Sequence, residues 1–371
     1  MIKSQAEVYF VYSYLDDPKG GLGQYEYQLS RLLGPVMSFQ PTKIKTVKSS
    51  SMRVLRLIGL DAESFFKNNP MLVAVPQHEN IVIHFSHQFM GLAVIIARLR
   101  GLRQKSRPKI VITVHDLFAI LSRRDRFLKT LAPPWRWTDY IVSYLNLVGI
   151  SLADQIIADS STAATTICEA LPRAASKISV IHLGWDGPHQ QQSTSYKRAR
   201  YVLYVGSLHP RKNIVTLINA VRLLHNRGSN LELILAGSSR TDMIPKEIDG
   251  FDYIHILGHV SDERLESLYY SALMLAFPSY FEGFGLPLIE AMGHGCPVVA
   301  SDIPVFRELA RDAAIFVPPT DVEMWATAIE DLSNSEEKQS QLSQRGLERS
   351  REFSWDETAS KTATVYQKLM E

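Results

Sequence analysis

A chain of 371 residues, 46% apolar and 21% charged, is long enough for two globular domains and too apolar for a disordered or low-complexity chain. No apolar run approaches the ~20 residues of a membrane-spanning helix. Net charge is only +2 but is unevenly spread: residues 1–186 hold 22 Lys+Arg against 14 Asp+Glu, and residues 187–371 hold 18 against 24. Residues 1–7 are polar with no apolar run behind them, so no secretory leader is expected. Cys168 and Cys296 lie in apolar contexts and read as packing residues of a reducing compartment, not as a disulfide or metal ligands.

Residues 6–13 read as a first strand. Asp17-Pro-Lys-Gly-Gly-Leu-Gly23 follows, and residues 24–33 read as an amphipathic helix. A glycine-rich loop between strand and helix can cradle a phosphate or simply turn the chain. Residues 81–85 form a second strand and residues 91–102 a helix with a basic end. Residues 109–114 form a strand that ends in His115-Asp116-Leu117. Polar residues at the carboxyl end of a parallel strand face the ligand crevice of a doubly wound sheet, which singles out His115. His84 and His87, after the preceding strand, read as structural or acceptor-facing.

Residues 118–144 are aromatic and basic, with Phe118, Phe127, Trp135, Trp137, Tyr140 and Tyr144 around Pro133-Pro134. These aromatics are either core or an amphipathic surface against a membrane or a lipid-linked acceptor. Basic residues cluster at Lys43, Lys45, Lys48, Arg53 and Arg56; at Arg98, Arg100, Arg103, Lys105, Arg107 and Lys109; and at Arg123, Arg124, Arg126 and Lys129. Three clusters in one half favour an anionic partner. With no nucleic-acid module in the sequence, a membrane surface fits better than nucleic acid. Residues 154–160 are a buried strand, and Ser160 or Ser161 can cap a helix over residues 163–171. Residues 178–186 close the half, and residues 187–200, rich in Gln and Ser, read as a linker.

Residues 201–205 are a strand. Gly206-Ser207-Leu-His-Pro-Arg211-Lys212-Asn213 follows, with two cations at a helix start. A strand end, a glycine, a guanidinium fork and an ammonium make a site for a diphosphate. Strands are expected over residues 231–236 and 253–257, and Ser261 can cap the next helix. Residues 273–278 are a further buried strand. Ser279-Tyr-Phe-Glu282-Gly283-Phe284-Gly285-Leu286-Pro287-Leu-Ile-Glu290 then gives a glycine-rich loop with Pro287 at a helix start. Backbone N–H groups there can hold an anion. Glu290 could simply favour the positive helix end. Glu282, set among glycines and aromatics, is better explained as a carboxylate aimed at sugar hydroxyls. Residues 297–300 are a strand, residues 316–319 a strand or loop, and residues 321–332, 336–352 and 353–370 read as helices.

Glu282 and Glu290, with seven residues between them, resemble the E-x7-E signature of the retaining family 4 glycosyltransferases, and similarity to that family runs along most of the chain. The resemblance implies an α/β fold of GT-B type, with two Rossmann-like doubly wound domains. It implies an acceptor-binding domain over residues 1–186, a linker over 187–200, a nucleotide-sugar domain over 201–352, and a closing helix over 353–371 that packs back on the first. It implies that His115, Glu282 and Lys212 serve catalysis. Donor binding would fall to Gly21, Gly23, Gly206, Ser207, Arg211, Lys212, Val260, Glu282, Gly283, Phe284, Gly285, Leu286 and Glu290. Gly20 matches the same first loop. Many members carry Arg where this chain has Ser207, and Arg211 would compensate. No metal or other cofactor is expected beyond the nucleoside diphosphate sugar itself.

The segments around Lys212 and Glu282 look most like bacterial mannosyltransferases of polysaccharide and O-antigen assembly in lipopolysaccharide biosynthesis. The expectation is therefore GDP-mannose as donor and a lipid-linked glycan as acceptor, in the cytoplasm at the inner face of the membrane. UDP-glucose, UDP-galactose and UDP-N-acetylglucosamine are the alternatives. Two other classes compete. A nicotinamide oxidoreductase would need a third glycine after Gly21 and Gly23, where the chain has Tyr25, Glu26 and Tyr27. A non-catalytic binding scaffold would have no use for Glu282, Glu290, Lys212 and His115 together.

Overall fold

The computed structural model describes residues 7–12, 20–35, 38–43, 81–101, 107–122, 125–132, 137–188, 198–237 and 250–371. Lys45, Lys48, Arg53, Arg56, Arg103, Lys105, Arg123, Arg124, Trp135, the loop before Gly20 and most of the 187–200 stretch lie outside them. The chain divides into two units, residues 1–184 with 355–371, and residues 185–354.

The first unit is built on strands β1 (Glu7–Tyr12), β2 (Ser38–Lys43), β3 (Ile81–Phe85), β4 (Lys109–Val114), β5 (Gln155–Ala158) and β6 (Ile178–Val180). They pair in parallel in the order β2-β1-β3-β4-β5-β6. Runs such as Ile81–Phe85 and residues 110–114 are buried throughout, as a sheet covered on both faces requires. β2 was not read from the sequence. It contains Pro41, which cannot donate to a ladder, and the structure puts it on the sheet edge, where that donor is dispensable. Helix Gly20–Leu33 starts earlier than expected and takes Gly20, Gly21 and Gly23 into its first turn. Helix Trp355–Met370 belongs to this unit and lies along Gly20–Leu33. Its Tyr366 hydroxyl meets His84 Nδ1 at 2.5 Å, and its Thr358 donates to the His182 carbonyl at 2.8 Å.

The second unit is built on β7 (Tyr201–Val205), β8 (Glu232–Ala236), β9 (Ile254–Gly258), β10 (Met274–Phe277), β11 (Val298–Ser301) and β12 (Ile315–Val317), in the parallel order β12-β11-β10-β7-β8-β9. Its core gathers Tyr204, Leu217, Phe277, Ile289, Phe306 and Trp325, all fully buried. The expected caps Ser160 and Ser261 form, and Asp321 adds another: each accepts from the backbone N–H three residues on.

Each sheet has one place where successive connections run in opposite directions: between β1 and β3 in the first, and between β7 and β10 in the second. In open parallel sheets the crevice outside the carboxyl ends at that switch is where ligands bind.

Candidate active site

At the switch of the second sheet, β7 ends in Gly206 and β10 ends in the loop that carries Glu282. Gly206 has φ +148, and a Cβ there would meet the Tyr204 hydroxyl at 2.9 Å; that hydroxyl instead donates to the Ser207 carbonyl at 2.6 Å. The two cations sit at the start of the following helix. They lie in a single tight turn, Pro210–Lys212, ahead of helix Ile214–Asn226. Asn213 between them adopts a left-handed conformation (φ 56), uncommon outside glycine but open to Asn. Its amide donates to the carbonyls of Pro278 and Pro319, at 3.0 and 2.6 Å, and its Oδ1 accepts from Thr216 at 2.7 Å. This locks the turn to the end of β10.

The turn places Lys212 and Arg211 on Glu282. Lys212 Nζ lies 2.5 Å from Glu282 Oε1, Arg211 donates to Oε2 at 3.1 Å, and the Ser279 hydroxyl donates to Oε1 at 2.7 Å. Arg211 also donates to the Phe281 carbonyl at 3.1 Å, and Lys212 sits over the Phe277 ring. Glu282 is 7% exposed. Burial pushes its carboxyl up, but the charges of Lys212 and Arg211 outweigh burial and hold it below the usual carboxylate range. Burial, then the same two cations, depress His209 beside them.

Gly283, Phe284 and Gly285 follow, and helix Leu286–Gly293 begins. Gly285 has φ +126, and a Cβ there would lie 2.9 Å from the Phe306 ring, so the sharp entry into the helix depends on glycine. Pro287 is in the first turn, and its missing N–H leaves no donor unpaired. Glu290 falls in the second turn, and its Oε2 accepts from the Tyr269 hydroxyl at 2.8 Å. Burial pushes the Glu290 carboxyl up, against the pull of that hydrogen bond. Tyr269 in turn stacks on His294. Val260 is half-buried in the turn after edge strand β9.

At the switch of the first sheet the side chains are largely histidine and hydroxyl. His84 Nε2 and the Tyr25 hydroxyl both meet Thr113 Oγ1 at 2.7 Å, and Ser86 donates to Glu26 at 2.6 Å. His115 Nδ1 lies 2.5 Å from Asp159 Oδ2, and its Nε2 lies 3.0 Å from the Ser86 carbonyl. Gly21 and Gly23 open the helix that carries Tyr25 and Glu26. The second unit therefore brings Gly206, Ser207, Arg211, Lys212, Glu282, Gly283, Phe284, Gly285 and Leu286 to one strand switch. His115, Gly21 and Gly23 belong to the first unit's switch. Asp159, Asn213, Tyr269, Ser279 and Tyr204 were not singled out from the sequence; Asp159, Asn213 and Tyr269 act through partners distant in the chain, and Ser279 and Tyr204 through partners three residues on.

Residues 187–349 match the family described as Glycosyl transferases group 1, and residues 65–187 match Glycosyltransferase Family 4. The chain is 34% identical to O-antigen chain mannosyltransferase B of Escherichia coli over 46% of its own length and 46% of that protein. It is 30% identical to O-antigen chain mannosyltransferase RfbU of Salmonella typhimurium over 63% of this chain and 67% of that one. It is 29% identical to MMP alpha-(1->4)-mannosyltransferase of Mycolicibacterium hassiacum over 70% of this chain and 66% of that one. The alignment thus spans under half of the first relative and about two thirds of the others. Among solved structures, sucrose-phosphate synthase from Thermosynechococcus elongatus superposes with a TM-score of 0.70 at 20% identity, covering 98% of this chain and 99% of that one. Anabaena HepE, solved with UDP and glucose, gives 0.67 at 17% identity, covering 97% and 98%. These likenesses show the fold, which is GT-B. With a carboxylate pair spaced as in the retaining enzymes, two parallel sheets and both halves matched, the chain belongs to the group 1, family 4 glycosyltransferases.

Proposed function

We propose that this protein transfers mannose from GDP-mannose, with retention at the anomeric carbon, onto a lipid-linked glycan at a membrane surface. The observation that carries the transfer reading is the cluster of Lys212, Arg211 and Glu282 at the strand switch of the second unit, beside the Gly283–Gly285 loop. The mannosyl assignment is supported by the activities named for the relatives.

Lys212, Arg211, the loop N–H groups and the N-terminus of helix Leu286–Gly293 suit a diphosphate whose charge grows as the sugar leaves. The anomeric C–O bond breaks, the acceptor oxygen bonds to the same face, and the acceptor's proton passes to the departing phosphate. No enzyme nucleophile and no metal is needed on this reading. Glu282 pairs with the two cations. When the diphosphate takes them over, the carboxylate is released to accept from sugar hydroxyls. Glu290, oriented by Tyr269, accepts from the ribose, and His115 serves the donor sugar.

Membrane contact is supported by helix Trp137–Leu152. Trp137, Tyr140, Ile141 and Tyr144 recur at helical spacing and are 43–65% exposed, with Phe127, Arg126 and Lys129 also at the surface. These rings are not core, and an exposed aromatic stripe on one helix, with exposed cations on the short helix before it, suits a lipid interface. Arg98, by contrast, pairs with Asp154 at 2.6 Å and donates to two carbonyls, so its charge serves the fold. No helix among the described residues is long and apolar enough to cross a membrane.

Thermal stabilisation by GDP, UDP, ADP and their sugar conjugates tests the donor. A ligand at 100 times its Kd adds about 2.7 kcal/mol. Response to GDP and GDP-mannose alone is expected. Response to UDP compounds would keep the transfer chemistry and overturn the mannosyl assignment, and no response to any nucleotide would overturn both.

A further inference from the structure

The first unit carries a buried ion pair, His115 with Asp159, whose charge state the transfer mechanism above leaves open. His115 follows β4 and Asp159 follows β5, and both are almost wholly inside. The ring's Nδ1 faces the carboxylate and its Nε2 faces the Ser86 carbonyl. A carbonyl only accepts, and an ionised carboxylate only accepts. A neutral imidazole has one N–H to offer, whereas an imidazolium has two. Asp159 directly precedes Ser160, the cap of the ten-residue helix Ser161–Ala170, so the positive end of that helix favours the ionised carboxylate. Among the described residues Asp159 Oδ1 has no hydrogen-bond partner, so the nearest group that offsets the charge is His115, on Oδ2.

We infer that Asp159 is a positioning residue that holds His115 as an imidazolium, so that His115 enters sugar transfer as a fixed cation and not as a base. What the cation acts on rests on the glycosyl-transfer reading; the charge of the ring does not.

Several titratable groups face this pair. They are Asp116 beside His115, Tyr25 and Glu26 on helix Gly20–Leu33, His84 on β3, His87 after it, and His182 near Asp159. Burial, then the charge on His115, pushes His84 and His87 down to about 3, so both stay neutral at pH 7. Burial pulls His115 down too, but the charge and hydrogen bond of Asp159, then the Ser86 carbonyl and Asp116, outweigh it and raise it. Burial also pushes the Asp159 carboxyl up against the pull of His115. The helix end and the two acceptors on the ring place the proton on the imidazole. A cation so held cannot take the acceptor's proton, which agrees with passing that proton to the leaving phosphate.

Nitrogen-15 NMR of the histidine rings in the full chain tests this, with His115 assigned from His115→Gln. Both ring nitrogens should be protonated at pH 7.5. In Asp159→Asn the second proton should leave with a midpoint at or below about 6.5, the ordinary imidazole value. Its kcat at pH 7.5 should fall about tenfold or more, with donor KM within about threefold, and should recover as the pH is lowered toward about 6. Asp159→Glu should restore part of the loss. A neutral ring in the wild-type chain would overturn the inference without any variant having to fold. A loss in Asp159→Asn that is equal at every pH would overturn it as well. Failure of the wild-type chain to bind any nucleoside diphosphate would instead count against the transfer reading, while the ring nitrogens still decide the charge.

Discussion

Replacing Glu282 by Gln keeps shape and volume and removes one buried charge. The carboxylate holds Lys212 at 2.5 Å and Arg211 at 3.1 Å, with side chains only 11% and 23% exposed. Removing one partner of a buried pair costs about 3–5 kcal/mol, because the other charge stays desolvated. Arg211 keeps the Phe281 carbonyl and some solvent, so the lower end, about 3 kcal/mol, is expected. At roughly 2–4 °C per kcal/mol for a unit of this size, the melting temperature should drop by about 6–12 °C. Nucleoside diphosphate should act in the opposite sense. In the wild-type chain it must displace Glu282 from the cations, whereas in Glu282→Gln the cations have no competing carboxylate. Saturating GDP should therefore raise the melting temperature of the variant more than that of the wild type, while sugar transfer is lost.

Paired thermal melts with and without nucleotide, read beside turnover, decide this. Equal stabilisation of both proteins, or a variant that melts like the wild type, would refute the exchange of carboxylate for phosphate. The pH dependence has a definite sign. The Glu282 carboxyl is held below its unfolded value of about 4.3, so its contribution is complete above that pH and disappears as pH falls through the folded value. The stability gap between wild type and Glu282→Gln should be full at pH 7 and shrink below about pH 4 in urea titrations.

Lys212→Ala should abolish stabilisation by any nucleoside diphosphate and leave Glu282 paired with Arg211 alone; unchanged nucleotide binding by calorimetry would contradict its role. Asn213→Ala removes the donors to the buried Pro278 carbonyl and the half-buried Pro319 carbonyl and should cost about 1–3 kcal/mol. It should also weaken nucleotide binding, because the turn that carries both cations loses its anchor. Gly285→Ala places a methyl 2.9 Å from the Phe306 ring at φ +126 and should cost about 1–3 kcal/mol in chemical denaturation. Trp137→Ser with Tyr144→Ser should lower co-sedimentation with anionic vesicles and leave the melting temperature within about 2 °C, since both rings lie in solvent; unchanged sedimentation would remove the proposed membrane face.

Strand order and site were legible to different depths. The apolar runs that became β3, β4, β7 and β10 announce themselves because a doubly covered parallel strand is apolar on both faces. The E-x7-E spacing and the Arg211-Lys212 pair lie within short segments, so the sequence alone could propose both. What it could not supply was their meeting. Lys212 and Glu282 are 70 residues apart, and only the adjacency of β7 and β10 brings them into contact. The same holds for His115 and Asp159. β4 and β5 pair in parallel with Val114 opposite Ala158, so the next residue of each strand must lie side by side. In the sequence Asp159 is only the tail of a strand before a cap. Once two neighbouring parallel strands are in register, the first residues past their carboxyl ends are neighbours whatever their identity. A histidine and an aspartate in those two places are therefore bound to each other by the sheet before either meets a substrate.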